Sequence, residues 1–430
     1  MTDADTDVVI VGAGTAGLAA AKALGRAGLT FRVVEAMARI GGRAWTSSSD
    51  FGLPFDIGCA WIHAADRNPF FPEAQAAGWT LHRHDMDLDH LWQGRRRVPT
   101  GELAMLRAAE TALERRLDEA GRPGSTAPGS TSSGSTGPGC ADDRLSTLTG
   151  DSPAGRALAT FCGPMDFGAD ADEISVADFR AAADLDPNYF TREGFGALIH
   201  RWGADVPVTL ATPVRAIRWD GPGIAAETRR GTLSARAAIV TVSTGVLQFE
   251  DLAFYPALPD AHLDAIHDLP MGLLAKIGLA VSGTRLGLRA FDDLLVERRS
   301  RQDIFFLAFP FDLDLMVGFV GGDFAWELEA AGPAAAVDFA TDRLAELFGN
   351  DIRRQVGHGL LTRWGGERWT RGAYAAATPG RATARAVLAE PVGGRIWFAG
   401  EALGGGLMQT AAGARLSGEA AAASVALALG

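Results

Sequence analysis

Short apolar runs separated by glycines and alanine-rich stretches set the pattern of this chain. Val8 to Val11 reads as a buried strand, Thr15 to Ala27 as an alanine-rich helix closed by Gly28, and Phe31 to Val34 as a second strand. This is a βαβ opening. Apolar runs with β-branched residues predict further strands at Val206 to Ile217, Ala238 to Val242, Lys276 to Val281, Ile304 to Phe309 and Leu315 to Val320. A helix is expected from Pro333 to Phe348. The end mirrors the start, with a strand over Arg395 to Ala399, a glycine-rich turn through Gly404 to Gly406 and a helix from Thr410 onward. From Gly121 to Gly139 nearly every residue is Gly, Pro, Ser or Thr. Such a stretch buries too little apolar surface to offset its ordering entropy, so a flexible linker is expected there.

With 430 residues, 47% of them hydrophobic, the chain exceeds the size at which one core usually stops growing, and two domains are expected. The net charge of -12 argues against nucleic acid as a partner and gives a mild long-range attraction for cations. The acidic, polar start runs straight into Val8 without the charged and apolar regions of a signal peptide, and no apolar run reaches the length of a membrane span. A soluble protein is the expectation. Three cysteines at unrelated spacings, Cys59, Cys140 and Cys162, form neither a disulfide framework nor a metal motif, which fits a reducing cytoplasm and no metal. Basic positions are almost all arginine, and only Lys22 and Lys276 are lysine.

The chemistry begins at Gly12-Ala-Gly14-Thr15-Ala16-Gly17, between the first strand and its helix, with Glu35 at the end of the second strand where a ribose-binding acid belongs. Gly12 permits the tight turn, Gly14 lets the backbone approach a pyrophosphate, and Gly17 lets helix and strand pack closely, with the helix N-terminus toward the phosphates. Past Glu35 and Ala36 the chain reads Arg39-Ile-Gly41-Gly42-Arg43, which an NAD site does not require. Two glycines that bring backbone to a cofactor and a forked arginine donor for its phosphate favour FAD. The alternative for Arg43 is a solvated turn residue.

Together with Phe55-Asp-Ile-Gly58-Cys-Ala60-Trp61-Ile-His63, Thr212-Pro-Val214, Val240 to Leu247, Lys276, Trp364, Arg371-Gly-Ala-Tyr374, Phe398-Ala-Gly400-Glu401 and Thr410 to Gly418, these residues resemble the flavin-containing amine oxidase family over most of the chain. The family comprises monoamine and polyamine oxidases, histone lysine demethylases and L-amino-acid oxidases. The resemblance implies an α/β fold, a two-domain FAD-binding Rossmann-like flavoprotein of glutathione-reductase type whose substrate domain is a mixed sheet plus helices. It divides the chain into a discontinuous FAD-binding domain (1–75, 191–250 and 385–430) and a substrate domain (76–120, 140–190 and 251–384). It implies that Ala60 and Trp61 lie along the flavin, the Val214 backbone meets the adenine, Glu401 holds the ribityl or phosphate region, and the helix beginning at Thr410 and Ala411 points at the flavin C2 carbonyl. A helix N-terminus there stabilises the negative charge of reduced flavin. The expected cofactor contacts are Gly12, Gly14, Thr15, Ala16, Gly17, Glu35, Ala36, Gly42, Arg43, Gly58, Ala60, Trp61, Val214, Gly400, Glu401, Thr410 and Ala411.

Three positions depart from the family pattern. Met37 replaces an arginine against the adenine ribose. Ala373 stands where covalently flavinylated members carry the attaching cysteine, which implies non-covalent FAD. Thr410 replaces one of two aromatic walls, leaving Tyr374 alone and a wider pocket.

The residues expected to serve the chemistry are Lys276, Trp364, Tyr374 and His63. Lys276 matches the family lysine that reaches flavin N5 through a water. An ammonium shifts its pKa and holds a small water where a guanidinium does so poorly. The alternative is a lysine snorkelling at a strand edge. Lys22, on the alanine-rich helix, reads as a solvated face. Trp364 and Tyr374 are expected to wall the pocket with π surface for an amine. His63 follows Trp61 by two residues, so both share one side of a strand. A role toward flavin and substrate and a purely structural role both stay open for it.

The expected activity is oxidation of a primary or secondary amine to an imine by hydride transfer to flavin, with oxygen or an electron carrier as acceptor. Homodimerisation fits this reading, and neither nucleic acid nor membrane is an expected partner. Rival readings are a desaturase-like flavoenzyme, which needs neither Lys276 nor the Trp364 to Tyr374 motif, and a flavin-bearing interaction module, whose appended helical domains are not seen in the sequence. Gly58 to His63 offers no cation to clamp a substrate carboxylate, which disfavours amino acids as substrates.

Overall fold

A computed structural model of the chain describes residues 4–85, 91–93, 96–99, 104–120, 142–182, 185–296 and 301–430. The expected linker at 121–139 and Cys140 lie outside the described residues. Two large sheets organise the rest, as expected of an α/β flavoprotein with two domains. In the first, Thr6–Val11 lies between Phe31–Val34 and Gly231–Val240, parallel to both. Val8, Val9 and Ile10 are fully buried, as an all-apolar strand covered on both faces should be. Gly231–Val240 pairs antiparallel with Ile224–Thr228 along its first half and parallel with Ile396–Phe398 along its second. The sheet is completed by Val208–Thr209 beside Phe31–Val34, and by Val214–Arg218 and Ala253–Tyr255 at the other edge.

The helix expected from Thr15 runs over Thr15–Arg26, and the C-terminal one over Ala411–Leu429. They cross on one face of the sheet at close range. A Cβ on Gly418 would stand 2.1 Å from the Ala16 carbonyl oxygen, so glycine there lets the two backbones touch. At Gly17 a Cβ would stand 2.0 Å from the carbonyl oxygen of Gly12, itself at φ +103°, so helix and strand turn can meet only through glycine.

In the second sheet Leu274–Val281 lies antiparallel between the edge strand Val356–Leu361 and Leu315–Gly321, and the sheet continues through Phe305–Ala308, Asp293–Val296, Leu91–Gln93 and Arg96–Arg97. The Pro333–Phe348 helix falls where the sequence places it and buries Ala336, Ala340 and Leu344 among the core residues of this sheet.

The expected single strand from Val206 to Ile217 is two strands, Val208–Thr209 and Val214–Arg218. Pro213 has no N–H for a ladder and Ala211 sits at φ +49°, so the chain turns there. The turn is fixed by Ala211 N–H donating to Met37 O (2.8 Å) and Thr212 N–H to Glu35 O (2.7 Å), which carries Val214 toward the dinucleotide fingerprint. The strand from Ala238 ends at Val240, and the last strand is Ile396–Phe398. Apolar periodicity does not single out the helices Ala104–Ala120, Phe195–Gly203 and Gly322–Ala331, all of which are present.

Candidate functional site

One cavity of about 800 Å³ runs between the two sheets, and its wall holds almost every residue that the sequence marks for chemistry. At one end lie Gly12, Gly14, Thr15, Ala16, Glu35, Ala36, Met37, Gly42, Arg43 and Val214. In the middle are Gly58, Ala60, Trp61, His63, Gly400, Glu401, Thr410 and Ala411, with Lys276, Trp364, Ala373 and Tyr374 on the side of the second sheet. Gly17 stands apart. It does not line the cavity, and its part is the close packing that sets the angle of the first helix.

At the fingerprint end, the Glu35 carboxylate accepts from the N–H groups of Ala13 (2.6 Å) and Met37 (2.7 Å). Burial holds its carboxyl above the ordinary carboxylate range, against the opposing pull of those amides. The Thr15–Arg26 helix starts at Gly14 with no side-chain cap and no acid in its first turn, so its N-terminal amides face the lumen uncompensated. Arg43 donates through one guanidinium nitrogen to Glu401 Oε1 (3.0 Å) and to the Ala373 carbonyl (2.5 Å). Glu401 Oε1 also accepts from the Ala375 N–H (3.2 Å), so the pair ties the C-terminal strand end to the segment bearing Tyr374.

Thr410 is the N-cap of the last helix. Its Oγ1 accepts from Gly413 N–H (3.0 Å) and donates to the Leu407 carbonyl (2.7 Å). Thr410 thus caps a second helix whose N-terminus borders the cavity, again with no acid in its first turn.

Lys276 is buried near the start of Leu274–Val281, its backbone locked to Thr362 by Lys276 N–H to Oγ1 (2.8 Å) and Thr362 N–H to Lys276 O (2.9 Å). Its ammonium donates to the carbonyls of Asp56 (2.7 Å) and Gly58. Burial lowers its pKa to about 8, and the Asp56 carboxylate keeps it from falling further. A snorkelling lysine would reach bulk water, and this one does not.

Asp56, which sequence reasoning passed over, accepts from Thr46 Oγ1 (2.5 Å) and from the N–H groups of Phe195 (3.0 Å) and Gly196 (3.1 Å) at the start of the Phe195–Gly203 helix. Beside it, burial and the Asp56 charge push the Cys59 thiol up to about 12, so it stays protonated.

Trp61 and His63 do face one side, with near-parallel rings 6.0 Å apart. The His63 imidazole bonds Asn188 Oδ1 through Nδ1 (2.7 Å), and burial pulls its pKa down, which keeps it neutral. Trp364 donates its indole N–H to Ile57 O (3.0 Å), and Tyr374 its hydroxyl to Met165 O (3.2 Å). Both aromatics are thereby fixed at their polar ends, with their faces left for the cavity. Lys22 lies away from the cavity, paired with Asp205 (2.5 Å) and over the Trp202 ring. It is a tethered surface lysine.

A wall absent from the sequence reading completes the cavity: Glu110, Leu113 and Glu114 from the Ala104–Ala120 helix, and Phe161, Cys162 and Met165 from a π-helical turn over Phe161–Met165, with Asp166 just after it. Such turns disrupt the regular helical ladder and often border functional sites. The acids four apart on one helix face were visible in the sequence, but nothing local tells that this face borders the cavity.

A βαβ fingerprint, two helix N-termini and a buried lysine with aromatic walls thus share one cavity. The chain belongs to the flavin-containing amine oxidoreductases, whose family profile matches residues 15–426. It is 25% identical over 433 residues to the lysine-specific histone demethylase 2 of Homo sapiens, covering 96% of this chain and 52% of that protein. The chain thus spans about half the length of that demethylase. It is 28% identical over 442 residues to polyamine oxidase 4 of Oryza sativa subsp. japonica, covering 96% of this chain and 87% of that one. In fold it is similar to cyclohexylamine oxidase from Brevibacterium oxydans IH-35A (TM-score 0.80, 23% identity, 99% of each chain). It is likewise similar to a putrescine oxidase bound to putrescine (TM-score 0.78, 22% identity, 97% of this chain and 98% of that one).

The cofactor is accordingly FAD, and the residues fit it. The turn at Gly12 and Gly14 meets Gly41 and Gly42 with no side chain between them, a buried carboxylate stands beside it at Glu35, and two helix N-termini without acids border the same cavity. Among the described residues no helix is long and apolar enough to cross a membrane.

Proposed function

We propose that this chain oxidises a primary or secondary amine that lacks an α-carboxylate, using non-covalent FAD and passing the electrons to oxygen. When bound, FAD supplies an acceptor for the hydride of the amine α-carbon, leaving an imine that water converts to an aldehyde or ketone. The two electrons and two protons lost by the amine then reduce oxygen to hydrogen peroxide. Gly12, Gly14, Thr15, Ala16, Glu35, Ala36, Gly42, Arg43 and Val214 hold the dinucleotide end. Gly58, Ala60, Trp61, Gly400, Glu401, Thr410 and Ala411 hold the flavin end. Ala373 has no sulfur to form a thioether, hence the non-covalent reading.

The other residues place the amine. Trp61, Trp364 and Tyr374 keep water from the reacting carbon and hold a neutral amine against π surface. Lys276, fixed by two carbonyls and titrating near neutral pH, holds or releases a proton at Nζ beside the reacting groups. The neutral His63 supports the ring of Trp61 from the Asn188 side. The division of the chain at 1–75, 191–250 and 385–430 against the remainder is part of the same proposal.

The observation that carries this reading is that a single cavity joins the fingerprint glycines to Lys276 and Tyr374. Turnover of phenethylamine in air tests it. One aldehyde and one peroxide should form per amine consumed. Aldehyde without peroxide, with turnover only when an artificial acceptor is added, would make the chain a dehydrogenase.

A further inference from the structure

Both carbonyls that accept from the Lys276 ammonium, those of Asp56 and Gly58, belong to one short stretch of chain, and one side chain anchors that stretch. Asp56 faces Thr46 across the two-stranded ladder of Thr46–Ser47 and Phe55–Asp56. One oxygen of its carboxylate accepts from the Thr46 hydroxyl (2.5 Å) and the Gly196 N–H (3.1 Å), the other from the Phe195 N–H (3.0 Å). Thr46 Oγ1 in turn accepts from the Ala197 N–H (2.8 Å).

Three successive amides at the start of the Phe195–Gly203 helix therefore end on this pair. That helix begins at Gly194 with no side-chain cap and no acid in its first turn, so residues well over a hundred positions earlier do the capping. The packing is backbone on backbone. A Cβ on Gly58 would stand 1.6 Å from the Arg43 carbonyl oxygen, and one on Gly196 2.5 Å from the backbone of Trp45 and Thr46. The Gly58 carbonyl has no room to drift from Lys276.

The same bonds decide where the proton sits. A lysine and a carboxylate withdrawn from water together can lower their cost by passing the proton across and going neutral. Burial drives both groups that way, raising the Asp56 carboxyl and lowering Lys276. Two helix amides and a hydroxyl oppose it by stabilising the ionised carboxylate, whose charge then favours the ammonium. The other titratable group that bears on the ammonium is the Cys59 thiol, which stays protonated. The strands on either side present Phe319 and Thr362, neither of them charged.

We propose that Asp56 is a positioning residue for the oxidation: seated on the N-terminus of the Phe195–Gly203 helix, it fixes the two carbonyls that hold Lys276 and supplies the negative charge that keeps the ammonium. This rests on Lys276 serving the reaction, as the proposed function has it. Asp56 lies behind the stretch of cavity wall formed by Ile57 and Gly58, and it acts through Lys276 alone.

The titration of Lys276 in the flavin-loaded protein tests this, in the wild type, Asp56→Asn, Asp56→Glu and Lys276→Met. It is followed twice: in the rate of anaerobic bleaching by saturating phenethylamine against pH, and in the absorbance of the oxidised flavin against pH with no amine present. The wild type should show a step near pH 8 in both that Lys276→Met lacks. Asp56→Asn should move the step down by about one pH unit or more, the size of a lost neighbouring charge. Asp56→Glu keeps the charge and should bring the step back toward pH 8. Flavin content and melting temperature report folding. Should Asp56→Asn not hold flavin, Asp56→Ser, which leaves room for a water on the two amides, gives the same comparison. A step that stays near pH 8 in folded Asp56→Asn or Asp56→Ser overturns the proposal and leaves amine oxidation standing. So does the absence of any step in the wild type, or loss of flavin from all three Asp56 variants, which would confine Asp56 to the fold. Wild-type flavin that phenethylamine does not bleach overturns the amine reading, while the titration without amine still decides whether Asp56 governs the proton on Lys276.

Discussion

At the end lined by Gly12, Gly14 and Gly42 the cavity wall is largely backbone, whereas at the end lined by Glu110, Phe161 and Asp166 it is largely side chain. The backbone end is rigid. Its amides are fixed by a strand, a turn and a helix packed without intervening side chains, so one geometry serves any protein that must hold a pyrophosphate. The side-chain end is built from a helix and a π-helical turn remote from each other in sequence, and single substitutions there alter charge or volume without touching the frame. On the proposed function, holding the cofactor and choosing the amine fall to separate ends of the cavity.

The largest effect that would test this separation is expected at the backbone end. Gly17→Val would drive a side chain into the Gly12 carbonyl oxygen, where even a Cβ would stand at 2.0 Å. The variant should lose about 3 kcal/mol or more of stability and be recovered without flavin. A yellow variant with an unchanged melting temperature would show that the helix can shift to admit the side chain.

Next in size is Lys276→Met, between the two ends. It should keep its flavin but reduce it or reoxidise it slower by on the order of 100-fold. The wild-type pH–rate profile should also show a limb near pH 8 that the variant lacks. Wild-type rates in both half-reactions would make Lys276 a structural lysine.

The smallest effect is expected from Asp166→Asn on stability. The folded pKa is raised from 3.8 to about 7, so the native state holds this proton more tightly than the unfolded chain does. The stabilisation this gives is complete below about pH 4 and is lost as pH rises through 7. The variant should therefore melt higher than the wild type at pH 8 and not at pH 4. A gain that is the same at both pH values would place the cause in packing.

The same contrast decides what was legible in the sequence. Glycine spacing and Glu35 mark the backbone end because turn, helix start and ribose acid are local features. The division of the Val206 to Ile217 run was also local, since Pro213 interrupts it in plain view, but its apolar pattern masked the break. Lys276 was conspicuous in an arginine-rich chain, yet its burial and its carbonyl partners at Asp56 and Gly58 depend on a loop more than two hundred residues earlier. Asp56 looked like one carboxylate among many, and only the tertiary fold seats it on the start of the Phe195–Gly203 helix. Glu110, Glu114 and Asp166 lie on elements with no sequence signature, and their common wall comes from packing across the chain.

The central claim is that this cavity oxidises amines at a bound flavin and disfavours those bearing an α-carboxylate, because no cation on the Gly58 to His63 stretch can pair with one. The most direct measurement is anaerobic mixing of the holoprotein with tryptamine against tryptophan and with phenethylamine against phenylalanine, following the flavin absorbance. The account predicts that both amines bleach the flavin at least tenfold faster than their amino acids, the loss expected when a buried carboxylate lacks a partner (about 1.4 kcal/mol or more). Faster bleaching by the amino acids, or flavin that stays oxidised with all four compounds, would contradict it.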